Sequence, residues 1–345
     1  MKKTASALLA CLTITHSFVS LASPSDANKP INVQEVTNFI NCFGGQFTNY
    51  EKWRGFIKDK YAKKSKSEEI LNKRLAWFDS MFGQEDFNKY KANLSCYNFT
   101  YTVDGGQVHG YIIKPKEHEQ DLPTLIYNRG GNGRFGAVVF GSMMHNLFPI
   151  ANEGFVIIGS QYRGSFSQKN DLDEFGGQDV KDVTALLKYI PDISGADATR
   201  IGMFGYSRGG MQTHLAVKQA KGAGIKAIAT LAGNTNLLRG LDYRPAMEKV
   251  YSRRIPSYQK NKQTELANRS VLTWVDELSK EMPILLIHGS SDKKVSVQHS
   301  LDFAHSLTEH KVPHKLVIYK GDDHGLKENK QKADQEIVSW FKAHL

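Results

Sequence analysis

The stretch that most constrains this chain runs from Ile201 to Gly210 and reads I-G-M-F-G-Y-S-R-G-G. Four residues of strand character lead into Gly205-Tyr206-Ser207-Arg208-Gly209, and a helical pattern follows from Gly210. A serine lifted above the end of a sheet needs a very tight strand-to-helix turn. Glycines two positions before and after it remove the Cβ atoms that would collide there. The helix that follows points its free N–H groups and partial positive charge at the serine oxygen. A plain Gly-Ser-Gly loop also fits G-x-S-x-G. The strand before and the helix after favour Ser207 as a nucleophile.

A serine held in this way requires a mostly parallel sheet, and the rest of the chain supplies one. From Tyr97 the apolar period is two, through Phe99, Tyr101 and Val103; Asp104-Gly105-Gly106 turns the chain, and Val108 to Ile113 returns as a hairpin. Apolar strands follow at Thr124–Tyr127, Phe155–Ile158, Ile201–Phe204, Ala227–Leu231, Ile284–His288 and Lys315–Tyr319. Helical patterns cover about Asp179–Tyr189, Arg208–Ala220, Val297–Leu307 and Lys330–His344. A hairpin followed by this alternation gives a sheet covered on both faces, with its working loops at the carboxyl ends of the strands. The expected fold is α/β, of the α/β-hydrolase type: a mostly parallel, doubly wound sheet with an N-terminal helical appendage and a small cap insertion.

Upstream, Lys2 and Lys3 precede an apolar run, Ala5 to Leu21, that ends in Ser20-Leu21-Ala22. A charged start, a short apolar core and a small-x-small end read as a secretory leader over residues 1–22. Leu8-Leu9-Ala10-Cys11 resembles a lipid-attachment site, but the residues after Cys11 stay apolar, so a lipoprotein anchor ranks second. The mature protein is expected to be exported, periplasmic or secreted, without a stable membrane anchor. Of three cysteines, Cys11 leaves with the leader; Cys42 and Cys96 remain, a pair suited to an oxidising compartment, with two buried thiols as the alternative.

Residues 23–95 form the first segment of the mature chain and 96–345 the catalytic domain. In the first, Asn32 to Asn41 and Tyr50 to Tyr61 have helical character, and Ser67-Glu68-Glu69-Ile70 opens the clearest helix, with Leu71, Leu75, Phe78 and Phe82 on one face. The segment is too short for a β-propeller, whose blades take about 40–50 residues each. In the second, residues 234–282 stand between two strands as a cap insertion, rich in Lys and Arg over 237–262. The formal charge of +10 includes Lys2 and Lys3 of the leader. No basic stripe interleaved with aromatics and no zinc-finger spacing occurs, so no nucleic acid partner is expected. No metal and no cofactor is expected, and no oligomeric state is read.

Ser207 needs a base within hydrogen-bond reach, and the base needs an acid to orient it. In this fold the order along the chain is Ser, acid, His. Asp292 follows the strand Ile284–His288 in Gly289-Ser290-Ser291-Asp292; His324 follows Lys315–Tyr319 in Lys320-Gly321-Asp322-Asp323-His324-Gly325. Asp322 and Asp323 stand too close in sequence to His324 to reach its Nδ1. A tetrahedral oxyanion needs two N–H donors. One is the backbone of Arg208; the other comes from Asn128-Arg129-Gly130-Gly131-Asn132-Gly133, with Gly131 first and Gly130 next. Arg129, Tyr206 and Arg163, on or beside these loops, are candidate substrate contacts.

These pieces together resemble the catalytic domain of the prolyl oligopeptidase family of serine peptidases, over about Leu122 to Leu345. G-Y-S-R-G-G is similar to its nucleophile elbow, and R-G-G-N stands where related members carry H-G-G-P. Gln161-Tyr162-Arg163-Gly164-Ser165 is similar to N-Y-R-G-S, and Glu174 to Val180 to E-F-G-G-x-D-V. Arg269-Ser270, Val275-Asp276 and the run Leu285 to Asp292 resemble the approach to its acid. The resemblance implies Ser207, Asp292 and His324 as the triad and Gly131 with Arg208 as oxyanion donors. With the leader, the expectation is an exported serine hydrolase that, as in the family, cleaves short peptides through an acyl-enzyme, here without the propeller that usually gates the site. A carboxylesterase or sugar deacetylase would use the same triad, and a non-catalytic binding protein could keep the scaffold. Because Arg129, Arg134, Arg163 and Arg208 flank the same sheet edge, substrates carrying a carboxylate are expected to be preferred.

Overall fold

The computed structural model describes residues 29–166 and 172–345; the leader read over 1–22 and Cys11 lie outside them. Among the described residues, nine strands form one sheet: β1 (Val36–Asn41), β2 (Leu94–Val103), β3 (Gly106–Pro115), β4 (Leu122–Asn128), β5 (Val156–Ser160), β6 (Ala196–Tyr206), β7 (Ile225–Leu231), β8 (Ile284–Gly289) and β9 (His314–Tyr319). Their order across the sheet is β1-β2-β3-β5-β4-β6-β7-β8-β9. Pairings up to β3–β5 are antiparallel, and all from β5 to β9 are parallel. The chain steps from β4 to β5 on one side and then crosses to β6 on the other. That reversal opens a crevice at the carboxyl ends of β4 and β6, where the loops carrying Gly130 and Ser207 begin.

Alternate residues of each central strand feed two separate apolar layers, because successive side chains point to opposite faces. Ile126, Ile158, Met203, Ile228 and Leu286 enter one layer; Leu125, Ile157, Phe204, Ala229 and Leu285 enter the other. The second layer is completed by helices from the first segment, α1 (Tyr50–Ala62), α2 (Glu68–Met81) and α3 (Gln84–Asn93), with α4 (Phe140–Asn146) and α5 (Phe148–Ala151). Trp53 centres this cluster, within 5.0 Å of the ring centroids of Phe82 and Phe140 and 4.9 Å of Phe78. The first segment therefore shares the hydrolase core and braces α4. The first layer is covered by α6 (Val180–Tyr189), α7 (Arg208–Gln219) and the insertion helices α8 (Leu237–Tyr243), α9 (Glu248–Arg254) and α10 (Tyr258–Asn268), then α11 (Gln298–Glu309); α12 (Lys330–His344) returns to the second.

One expectation is corrected here. Asn32 to Asn41 is not helical: residues 36–41 are the edge strand β1, paired antiparallel with β2 in the register Val36↔Tyr101 and Thr37↔Thr100. The β-branched and aromatic Val36, Thr37, Phe39 and Ile40 suit a strand, and β2 offers the open edge that such a strand needs. The pairing slips between Thr37 and Ile40, where Asn38 takes a φ of 56°.

Cys42, directly after β1, is bonded to Cys96 of β2, with Cα atoms 5.3 Å apart. The bond closes a loop across a sequence separation of 54 residues. The chain-entropy model gives about 4 kcal/mol for a loop of this size. Replacing both cysteines with alanine is expected to lower the unfolding free energy by about that amount in urea titrations. A loss below about 1 kcal/mol would mean that closing this loop does little for stability.

His214 on α7 is buried, and neither ring nitrogen meets a hydrogen-bond partner. Burial holds its imidazole down to about 3. A base whose folded value is depressed costs stability as pH falls, from its unfolded value near 6.5 down toward the folded one. His214→Leu is therefore expected to flatten the acid limb of the stability curve below about pH 6.5. Thermal melts from pH 7 to 4 would check it, and parallel curves for the two proteins would refute it.

Candidate active site

Ser207 links β6 to α7 with φ 57° and ψ −121°, a conformation that a non-glycine residue holds only under strain. The crowding around it explains the flanking glycines. A Cβ on Gly205 would stand 2.1 Å from the Gly209 carbonyl oxygen, and one on Gly209 would stand 1.9 Å from that of Asn128. Both contacts are with backbone, so neither can yield without moving β4 or α7.

Asp292 lies buried on the turn after β8 and receives four hydrogen bonds. Its Oδ2 accepts from His324 Nδ1 at 2.6 Å and from His288 Nε2 at 3.1 Å; its Oδ1 accepts from the Lys294 and Val295 N–H groups at 2.7 and 3.0 Å. Burial pushes this carboxyl up, but the bonds from His288 and His324, the charge of His324 and the Val295 N–H outweigh it and leave it below the usual carboxylate range. An ionised Asp292 can only accept, so His324 carries its proton on Nδ1 and has Nε2 left for Ser207. His288 is held from its far side by the Ser300 hydroxyl, 2.7 Å from Nδ1. The Tyr206 hydroxyl donates to the His324 carbonyl at 2.5 Å. Asp322 and Asp323 accept N–H groups of their own loop, Asn329 and Gly325 among them.

The loop after β4 reaches the serine: a Cβ on Gly130 would lie 3.2 Å from the Ser207 Cβ. Gly131 has φ +72°, and its carbonyl accepts from Arg208 Nη1 at 3.0 Å. The Arg208 guanidinium is buried beneath, paired with Asp173 and Asp179 at 2.7 Å each. Asp173 Oδ2 also accepts the Gly133 N–H at 2.6 Å, so one carboxylate ties the loop after β4 to Arg208, the residue after Ser207. Arg129 completes the group, donating to the carbonyls of Gly133 and Gln161 and to the Ser165 hydroxyl, with its guanidinium 4.7 Å from the Tyr162 ring centroid. Two arginines and two aspartates make a buried, neutral set.

Three arginines thereby differ from expectation. Arg129 is 1% exposed and braces the loop, so it is not a substrate contact. Arg163 binds Asp182 through Nε and Nη2, and Asp104 beside it, away from the cleft. The Arg208 side chain is spent on Asp173 and Asp179, while its N–H opens α7, where no preceding turn supplies an acceptor. The partners of these arginines, the buried carboxylates of Arg163 and Arg208 and the carbonyls of Arg129, lay at positions that the sequence reading did not pair. Their signal was present as Asp173 and Asp179, which bracket the Glu174 to Gln178 run.

Ser207, His324, Gly130, Gly131 and Tyr206 line a single cleft of about 500 Å³. Phe135, Val138, Phe175, Met247, Val250 and Val295 give it apolar walls, and Arg244 and Lys294 give it charge. Met247, Val250 and Arg244 come from the insertion, which crosses the carboxyl edge of the sheet. Among the described residues, none of the first segment lines the cleft.

A doubly wound sheet with a strained serine after its central strand defines the α/β-hydrolase class. The chain belongs to the prolyl oligopeptidase family of serine peptidases, whose pattern matches residues 141–345. It is 27% identical over 248 residues to an uncharacterized peptidase, YtmA, of Bacillus subtilis, covering 71% of this chain and 93% of that one. It is 26% identical to an acylamino-acid-releasing enzyme of rice, covering 65% of this chain but only 30% of that protein. Among solved structures, acylaminoacyl peptidase of Pyrococcus horikoshii superposes with a TM-score of 0.64 at 21% identity, over 75% of this chain and 43% of that one. The chain thus spans most of the bacterial relative and less than half of the other two.

Proposed function

We propose that this protein is an exported serine peptidase that cleaves short peptides through an acyl-enzyme on Ser207. The observation that carries the reading is the 2.6 Å bond from His324 Nδ1 to a buried Asp292, in a cleft that His324 shares with Ser207. Ser207 Oγ attacks the carbonyl carbon as its proton passes to His324 Nε2. The oxyanion is held by the Arg208 and Gly131 N–H groups, with Gly130 beside them. The C–N bond breaks, and His324 returns the proton to the leaving amine. Water, deprotonated by the same ring, then releases the acid and restores Ser207.

The names of the relatives favour amide over ester substrates. The Cys42–Cys96 bond is compatible with an oxidising compartment and with the leader read at 1–22. No helix among the described residues is long and apolar enough to cross a membrane. The insertion at 234–282 serves as a cap whose residues shape substrate access.

A fluorophosphonate probe followed by parallel chromogenic peptide and ester screens tests this reading. Labelling at Ser207 with measurable peptide turnover is expected. Turnover of esters alone would transfer the site to the carboxylesterase or deacetylase reading, and no labelling would leave a binding scaffold.

A further inference from the structure

We propose that Arg244 and Lys294 form an anion-reading subsite in the Ser207 cleft, which selects short peptides carrying a carboxylate near the scissile bond. The proposal rests on the peptidase reading above and names the substrate class of that site. It does not use the arginines first expected to do this, since Arg129, Arg163 and Arg208 are taken by backbone and buried acids and Arg134, over the Phe166 ring, is not among the cleft-lining residues.

Among the described residues lining the cleft none is acidic. The Arg208 charge there is cancelled by Asp173 and Asp179 together with Arg129 behind it. That leaves Arg244 and Lys294, both exposed and, among the described residues, without an acidic partner. Two other cations of the insertion do have one: Arg239 pairs with Asp302 and Lys262 with Glu248.

The fold brings the two charges to one wall. The Tyr243 hydroxyl donates to the Asp292 carbonyl at 2.7 Å, tying the end of α8 to the turn that holds the acid. Arg244 is the next residue on one side of that bond, with its own N–H fixed on Gly240 and Pro245 following it. Lys294 stands two residues along on the other side, its N–H fixed on Asp292 Oδ1 at 2.7 Å. The backbone of each cation is thus anchored to the catalytic turn or to the helix that this bond ties to it. Phe135, Phe175, Met247 and Val250 wall the same space with apolar surface, which concentrates a field that open water would screen. Arginine adds a planar fork matched to a carboxylate.

The test uses the full mature protein and matched peptide substrates in three forms: a succinyl cap, an acetyl cap, and an acetyl cap with a free carboxylate on the leaving side. The first and third tell which side of the bond the subsite reads. One of the two acidic forms is expected to exceed the neutral one by about tenfold in kcat/KM at low salt, shrinking to about threefold or less at 0.5 M salt. Arg244→Gln and Lys294→Gln should each remove most of that preference, and Arg244→Glu should shift it toward a basic substrate. Lys249→Gln, an exposed lysine outside the cleft lining, should leave it intact. Calorimetry on Ser207→Ala with the same peptides reads the subsite without chemistry. A flat ranking there, or in turnover, overturns the subsite and leaves the peptidase reading standing. Carboxylate-dependent binding in a protein that neither labels nor turns over any peptide or ester overturns the peptidase reading instead.

Discussion

Ser207→Ala should abolish fluorophosphonate labelling and lower turnover by several orders of magnitude in a protein that still melts cooperatively. His324→Ala should do nearly as much. The residues act as a unit, so the double variant should lose little more than either single one. Asp292→Asn should cost about 10⁴ in kcat, because an amide in that place can donate and would stabilise the wrong tautomer of His324. Here the effect is sharpened by His288, whose Nε2 also faces Asp292 Oδ2 and the Val295 carbonyl. Stability gives a second readout. The backbone at Ser207 sits at φ 57°, so Ser207→Gly should relieve strain and raise the melting temperature, whereas Ser207→Ala should not. Near-normal turnover in His324→Ala would remove it as the base. A lower melting temperature for Ser207→Gly would remove the strained elbow.

Asp173→Ala is the second large effect, and it falls on a residue outside the triad. Asp173 accepts from Arg208 Nη1 and Nη2 and from the Gly133 N–H, with no exposure to water. Its loss leaves Arg208 with one carboxylate for two buried arginines, and breaking a buried pair typically costs about 3–5 kcal/mol. It also frees the loop that presents Gly131, and a lost oxyanion donor costs about 10²–10³ in kcat. A stable fold with slow chemistry and little change in KM would be the mark of a loop that has slipped. Asp173→Asn keeps the shape and separates the charge. Burial raises the Asp173 carboxyl, but the charge and hydrogen bonds of Arg208 with the Gly133 and Phe175 N–H groups hold it well below the usual range. A depressed acid adds stability that is fully present above its unfolded value, near 3.9, and is lost as pH falls below it. The asparagine variant should therefore be less stable at neutral pH and lose less on acidification from about pH 5 to 2. Unfolding midpoints across that range check the slope, and full activity in Asp173→Ala would separate the clamp from catalysis.

Much of this molecule was legible because its local chemistry is restrictive. The elbow at 201–210 can be built only with glycine where a Cβ would strike the Asn128 or Gly209 backbone. Apolar runs and the turn residues around them marked each central strand, and with them the loops that bear Ser207, Asp292 and His324 at one sheet edge. The arginines were different. Arg129, Arg163 and Arg208 are equally basic in sequence, but their roles were decided by acceptors 19 to 36 residues away, such as Asp182, Asp173 and Ser165. A charge becomes a ligand contact or a buried strut according to what desolvates it and what stands opposite, and neither is a local property. The strand at Val36–Asn41 had the same origin: its hydrogen bonds lie with β2, some sixty residues downstream, so only the assembled edge could choose strand over helix. Arg244 and Lys294 likewise share a cleft only through tertiary contacts, among them the Tyr243 hydroxyl that bridges an insertion helix to the turn of Asp292. Sequence determined which segments could be strands, turns and elbow, because sterics act between neighbours; tertiary structure decided which charges remain free, because pairing and desolvation act across the fold.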